Sequence, residues 1–181
     1  MHPRIHELLE HLDTQRLALR SAIDAVPDEL RERRPSVDTW SVAEVIEHVA
    51  IIERRLAGLL GKLLADAQAQ GAGPETETSA VVDPKAQRML LDRSRRVTAP
   101  ETAQPTGTLD AARAWTTFEE SHAMLRATVL AGDGLALGSV TWPHPLFGPL
   151  SWYQWVAFAG GHEARHAAQI RDVATALIGT D

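Results

Sequence analysis

No cysteine occurs in the 181 residues. That excludes disulfides, thiolate metal sites, iron–sulfur clusters and a thiol nucleophile supplied by the protein itself. Any thiol chemistry would need a thiol cosubstrate. No apolar run approaches the roughly 18 residues that a membrane span requires. The first residues, Met1-His2-Pro3-Arg4-Ile5-His6-Glu7, lack the apolar stretch of a secretory signal. The expected location is therefore the cytoplasm, with no membrane partner. Basic charge is also short: 18 Lys and Arg against 24 Asp and Glu give a net charge of −6. With the signs interspersed, no basic face is available for nucleic acid. Apolar residues at 44% and charged residues at 23% are those of an ordinary soluble protein. The length suits one domain with a real core, and no internal repeat divides it, so residues 1–181 are expected to form a single domain.

Four long segments carry a helical period. Ile5, Leu8, Leu12, Leu19, Ile23 and Val26 recur at three- and four-residue steps, and Pro27 ends that run. Ser41 with Glu44 forms a capping box, with Trp40 placed to staple onto Val45. Val45, Val49, Ile52, Leu56, Leu59 and Leu63 then follow the spacing of a bundle seam. Ala65 to Val82 has no apolar period and reads as a mobile crossover. Asp83-Pro84 predicts a short helix from Lys85 to about Val97, and Thr98 to Gly107, with Pro100 and Pro105, is expected to be extended. A third long helix starts near Thr108, with Trp115, Phe118, His122, Leu125 and Val129 on its inner face, and stops at Gly132 and Gly134. Leu135 to Leu150 is a loop with room for a short hairpin. Ser151 with Gln154 makes a second capping box, and the fourth long helix runs to about Ile178. Two helices, a long connection and two more helices predict an all-α four-helix bundle with one crossover between helices 2 and 3.

The histidines carry the chemistry. His48 lies about 60° from the centre of the Val45/Val49/Ile52/Leu56 stripe, pointing inward. Glu47 is expected to face solvent. His162 and His166, four residues apart, sit one turn above the other on the stripe of Trp155, Ala159, Val173 and Leu177. Two imidazoles at that spacing can bind one ion from one side, and a third from a facing helix completes a three-nitrogen face with positions left open for water and substrate. A single inward histidine is more often a bonded core residue. Two without partners in an apolar core would each cost about 1–3 kcal/mol, which an ion removes. Three imidazoles accept zinc, nickel, iron(II) or manganese.

His162-Glu163-Ala164-Arg165-His166 is also literally H-E-x-x-H, the helical signature of zinc proteases. Three points oppose that reading. Gln169 stands where the chain would need a glycine to turn. Asp172 points about 80° off the metal direction. Only nine residues follow Asp172, and little strand is available to present a peptide. Glu163 falls at the pocket margin, where it could act as general base on a metal-bound water, bond a ligand histidine, or simply be a solvated glutamate.

The sequence resembles the DinB-like (DinB/YfiT) superfamily of metal-binding four-helix bundle proteins. The resemblance rests on Trp40-Ser41-Val42-Ala43-Glu44-Val45-Ile46-Glu47-His48-Val49-Ala50, on His144-Pro145-Leu146-Phe147-Gly148-Pro149-Leu150-Ser151, and on Gly161-His162-Glu163-Ala164-Arg165-His166-Ala167-Ala168-Gln169-Ile170. It implies an up-down-down-up bundle, often a homodimer, that binds zinc, nickel or a similar ion through His48, His162 and His166. It also implies kinship with thiol-dependent transferases and isomerases that use low-molecular-weight thiols. A metal-dependent thiol S-transferase or hydrolase acting on a small molecule is therefore expected. The alternatives are a non-catalytic metal- or small-ligand-binding stress-response protein and a purely structural dimer.

His122 matches no ligand position of the family. It could approach the ion, line the pocket or be a bonded core residue, and the last two are favoured. Trp142, His144 and Gln169 complete the expected pocket, with Trp142 and His144 as a roof over the metal or, more plainly, a surface loop anchored by Trp142. Gly160 and Gly161 sit mid-helix on the outer side, which predicts a close helix approach, a dimer contact or a kink. Arg93, Arg95 and Arg96 form a basic cluster, a solvated face or a steering patch for an anionic substrate.

Overall fold

The computed structural model describes residues 1–94 and 98–179. Four long helices, α1 (Pro3–Asp24), α2 (Val42–Ala69), α4 (Ala111–Ala131) and α5 (Trp152–Ile178), make the bundle, and a short α3 (Pro84–Leu91) lies in the crossover. A two-stranded antiparallel hairpin, β1 (Thr141–His144) and β2 (Gly148–Ser151), precedes α5. Both expected capping boxes form: Ser41 with Glu44 opens α2, and Ser151 with Gln154 opens α5. Asp110 caps α4, so that helix begins at Ala111, three residues after the expected start near Thr108.

Cross-helix pairs fix the directions. Arg16 meets Glu119 and Asp13 meets Arg126, so α1 and α4 run antiparallel. Arg54 pairs with Glu120, and Gly61 approaches Thr128, so α2 and α4 run parallel. Leu8 and Leu12 pack with Trp152, Val156 and Ala159, whereas Leu19 and Ile23 pack with Ile170 and Val173, so α1 and α5 run parallel.

The core is not continuous. One apolar cluster joins Leu12, Leu60, Leu125 and Val156. The other joins Leu19, Val45, Phe118 and Ile170. Between them every long helix turns a polar residue inward or into its interface: Asp13 on α1, Glu53 on α2, His122 on α4 and Glu163 with His166 on α5. Each apolar stripe is interrupted at the same height of the bundle.

The crossover departs from its expected mobility. α2 continues to Ala69, past the predicted end at Ala65. The segment beyond it is pinned: Glu7 accepts from the backbone N–H groups of Val81 and Val82, Arg4 pairs with Glu75 at 3.1 Å, and Glu75 N–H donates to the Gly134 carbonyl at 2.8 Å. Its polar composition reflects partners on other elements rather than freedom in water. α3 begins at Pro84 behind Asp83 as expected but ends at Leu91, short of Val97. The segment expected to be extended contains a 3-10 turn, Glu101–Ala103.

Gly160 and Gly161 are explained within the chain. A Cβ on Gly160 would lie 2.5 Å from the His11 ring of α1, and one on Gly161 would strike Leu90 and Gln87 of α3. His11 Nε2 and Gln87 Nε2 both lie within hydrogen-bond distance of the Ala157 carbonyl, at 3.3 Å and 3.2 Å. The glycine pair lets two elements dock on one helix face.

Candidate metal centre

His48 sits on the second turn of α2, in a stretch where residues 41–50 are all buried. The bundle covers one side of that stretch and the crossover covers the other. This overturns the solvent-facing placement of Glu47, whose carboxylate accepts from Thr106 N–H at 3.0 Å, Thr106 Oγ1 at 2.7 Å and Gly107 N–H at 3.2 Å. Those bonds hold the crossover down, and the adjoining turn delivers the Ala103 carbonyl to His48. Nδ1 of His48 donates to that oxygen at 2.7 Å. A carbonyl can only accept, so the proton is on Nδ1 and the lone pair is on Nε2. The Trp40 ring packs against His48, with centroids 4.9 Å apart.

His166 is fixed in the same way. Its Nδ1 lies 2.8 Å from Oε1 of Gln169, one turn along α5, which again leaves Nε2 as the acceptor. Nε2 of His162 is 3.1 Å from Nε2 of His166, and the ring centroids of His48 lie 5.2 Å and 4.8 Å from those of His162 and His166. One nitrogen from each of the three histidines falls within 4.8 Å of the others.

These residues fit a divalent cation. Metal–nitrogen bonds of about 2.0–2.1 Å place neighbouring ligand nitrogens roughly 2.9–3.4 Å apart, which brackets the His162–His166 spacing. His162 supplies a second sign. Its buried Nδ1 has no hydrogen-bond partner. With its proton on Nε2, the ring strands an Nδ1 lone pair in the core. With the proton on Nδ1, two Nε2 lone pairs face each other, a clash that a cation between them removes. Burial lowers the proton affinity of all three rings, and the mutual repulsion of their charged forms adds to this for His162 and His166. His166 is pushed down to about 3. The rings are therefore neutral near pH 7, the form that binds metal.

Other expected pocket residues divide. His144 stacks on Trp155 and Phe158, and Phe158 in turn packs against the His162 ring at 5.7 Å, so the hairpin reaches the open side of the partly exposed His162. Trp142 anchors that hairpin through its backbone, whose carbonyl accepts from Trp155 Nε1 at 3.1 Å, while its side chain is exposed. Gln169 orients His166, as described above.

Glu163 is not at the pocket margin and is not solvated. It is fully buried, and its Oε1 lies 3.9 Å from Nδ1 of His122. Burial, and then the neighbouring Glu53 carboxylate, raise its pKa well above the ordinary glutamate value. His122 faces the same carboxylates, with Nδ1 3.3 Å from Glu53 Oε1. Glu53 escaped the pattern reading although it was legible, since it continues the Ile46-Val49-x-Leu56-Leu60 register as a charged residue on the inner face. Ala103 acts through its backbone and leaves no side-chain signal.

The zinc-protease geometry does not form. α5 continues unbroken through Gln169, and Asp172 pairs with Arg93 at 2.7 Å. Arg93 thereby belongs to an ion pair, and Arg95 and Arg96 lie outside the described residues. No described helix is long and apolar enough to cross a membrane.

A sequence profile of the DinB superfamily matches residues 11–170. Among curated proteins, the chain is similar to the uncharacterized protein YuaE of Bacillus subtilis (strain 168), at 25% identity over 159 residues, covering 87% of this chain and 91% of that protein. No solved structure gives a significant match. With the profile covering most of the chain, including parts of all four long helices and both histidine segments, the chain belongs to the DinB superfamily.

Proposed function

We propose that the protein is a metal-dependent enzyme in which His48, His162 and His166 hold one divalent ion, zinc or nickel first among the choices, and that it acts on a small molecule by thiol transfer or hydrolysis. One observation carries this reading. The Nδ1 atoms of His48 and His166 are tied to Ala103 and Gln169, which leaves Nε2 on each as the acceptor beside His162. An ion bound there would lower the pKa of a coordinated water or substrate thiol.

The chain's own residues have definite parts. The Ala103 carbonyl and Gln169 hold two rings in one tautomer. Trp40 and Phe158 wall the imidazoles with apolar surface. His144 and the hairpin border the exposed edge of His162, the side from which a substrate would enter. The absence of cysteine fits a thiol brought by a cosubstrate. The Glu163 carboxylate is directed at His122 and Glu53.

The test is elemental analysis of wild-type, His48→Ala and His166→Ala proteins, followed by a panel of thiol-transfer and hydrolysis substrates with metal-loaded protein. The proposal expects each variant to lose one metal equivalent and any wild-type turnover to vanish on chelation. Unchanged stoichiometry in both variants would remove the ligand assignment. Activity that survives complete metal removal would remove the enzymatic reading, and stoichiometric metal without turnover across the panel would make the protein a binder.

A further inference from the structure

The three-histidine centre leaves a second buried group unexplained. Glu53, His122 and Glu163 are 1%, 3% and 0% exposed. They come from α2, α4 and α5, and one ligand atom from each lies within 4.8 Å of the others. Nδ1 of His122 is 3.3 Å from Oε1 of Glu53 and 3.9 Å from Oε1 of Glu163. Three of their buried carboxylate oxygens, Glu53 Oε2 and both of Glu163, have no hydrogen-bond partner. Buried carboxylates without partners are among the most costly arrangements in a protein interior.

We infer that Glu53, His122 and Glu163 form a second divalent-cation site, chemically distinct from the three imidazoles. Two carboxylates carry together the charge that a divalent ion neutralises, so the occupied site has no net charge to bury. One imidazole and two carboxylates make a harder donor set than three imidazoles, suited to Mn(II), Fe(II) or Zn(II).

The surroundings supply what a histidine ligand needs. With Nδ1 of His122 facing the carboxylates, its Nε2 faces Asp13 Oδ1 at 3.8 Å. Asp13 is itself clamped by Arg126 through two bonds of 2.8 Å. A carboxylate behind the second nitrogen is the usual means of orienting a metal-binding histidine. On the Asp13 side of the ring, a surface groove of about 360 Å³ between α1 and α4 is lined by Asp13, Arg16, Glu119, His122 and Arg126.

The inference does not depend on the three-histidine reading, and one set of variants separates the two. Protein stripped by chelator and dialysed against Mn(II) or Zn(II) is expected to carry two equivalents per chain. His48→Ala should leave one, Glu53→Gln should leave one, and the double variant none. In the His48→Ala background, Mn(II) should raise the melting temperature, and adding Glu53→Gln should abolish the rise. Glu163→Gln serves as a second isosteric variant should Glu53→Gln fail to fold. Wild-type stoichiometry retained in the folded glutamine variant, or a single wild-type equivalent that His48→Ala removes, would overturn the inference and leave a cluster balanced by protons. A single equivalent removed by Glu53→Gln and not by His48→Ala would support it while removing the three-histidine centre.

Discussion

Nε2 of His162 stands 3.1 Å from Nε2 of His166, so a proton added to either ring puts charge beside a neighbouring imidazole. The linkage follows. In the folded protein these rings bind a proton only at low pH, about 3 for His166, whereas in the unfolded chain they do so near the ordinary value of 6.5. As pH falls below about 6.5 the unfolded state takes up protons first, so their contribution to stability is complete above that value and shrinks towards pH 3. Between pH 7.5 and pH 5.5 the urea midpoint of metal-free wild-type protein should lose more than that of His166→Ala, since the Glu163 carboxyl, raised by burial and pulling the other way, is common to both. The same change in both proteins would contradict the burial described.

Gln169 is predicted to matter for metal and not for folding. Replacing it with Leu removes the acceptor at His166 Nδ1 but leaves the helix intact. Loss of such an orienting partner weakens metal affinity by about 10–100-fold. Competition with a calibrated chelator measures this, and unchanged affinity would mean that His166 is positioned without Gln169.

Glu47 holds the crossover and should act on the site from a distance. Glu47→Ala strips the acceptor from two backbone N–H groups and one hydroxyl. The expected cost is about 1–3 kcal/mol, with faster proteolysis between residues 98 and 110 and weaker metal binding through the loosened Ala103 carbonyl. Cleavage at the wild-type rate would show that other contacts hold this segment.

Gly160→Ala should destabilise the protein. Its Cβ would overlap the His11 ring, a clash worth about 1–3 kcal/mol, against a gain in helix propensity of up to about 1 kcal/mol. Gly161→Ala meets the flexible ends of Leu90 and Gln87 and should cost less. Chemical denaturation of the two variants gives the order, and a more stable Gly160→Ala would refute it.

Much of this architecture was open to sequence reasoning because it rests on local rules. Ser41 with Glu44, Asp83 with Pro84 and Ser151 with Gln154 announce helix starts through groups within three residues of each other. The inward turn of His48, His162 and His166 follows from helical period alone. What escaped depends on segments remote in the chain. Glu47 reads as a surface residue until Thr106 and Gly107 are laid over it, and Glu163 reads as marginal until α4 brings His122 against it. The glycine pair on α5 likewise could not name its partners, His11 and α3.

The interruption of the apolar stripes at mid-height has a thermodynamic consequence. The hydrophobic effect binds each end of the molecule to itself, but across the middle the two ends communicate through groups whose charge depends on dissolved protons. How sharply the whole chain melts as one unit is then a property of the solution as well as of the sequence. Acid works against the fold at His162 and His166, whose proton affinity burial lowers, and in its favour at Glu163, whose proton affinity burial raises.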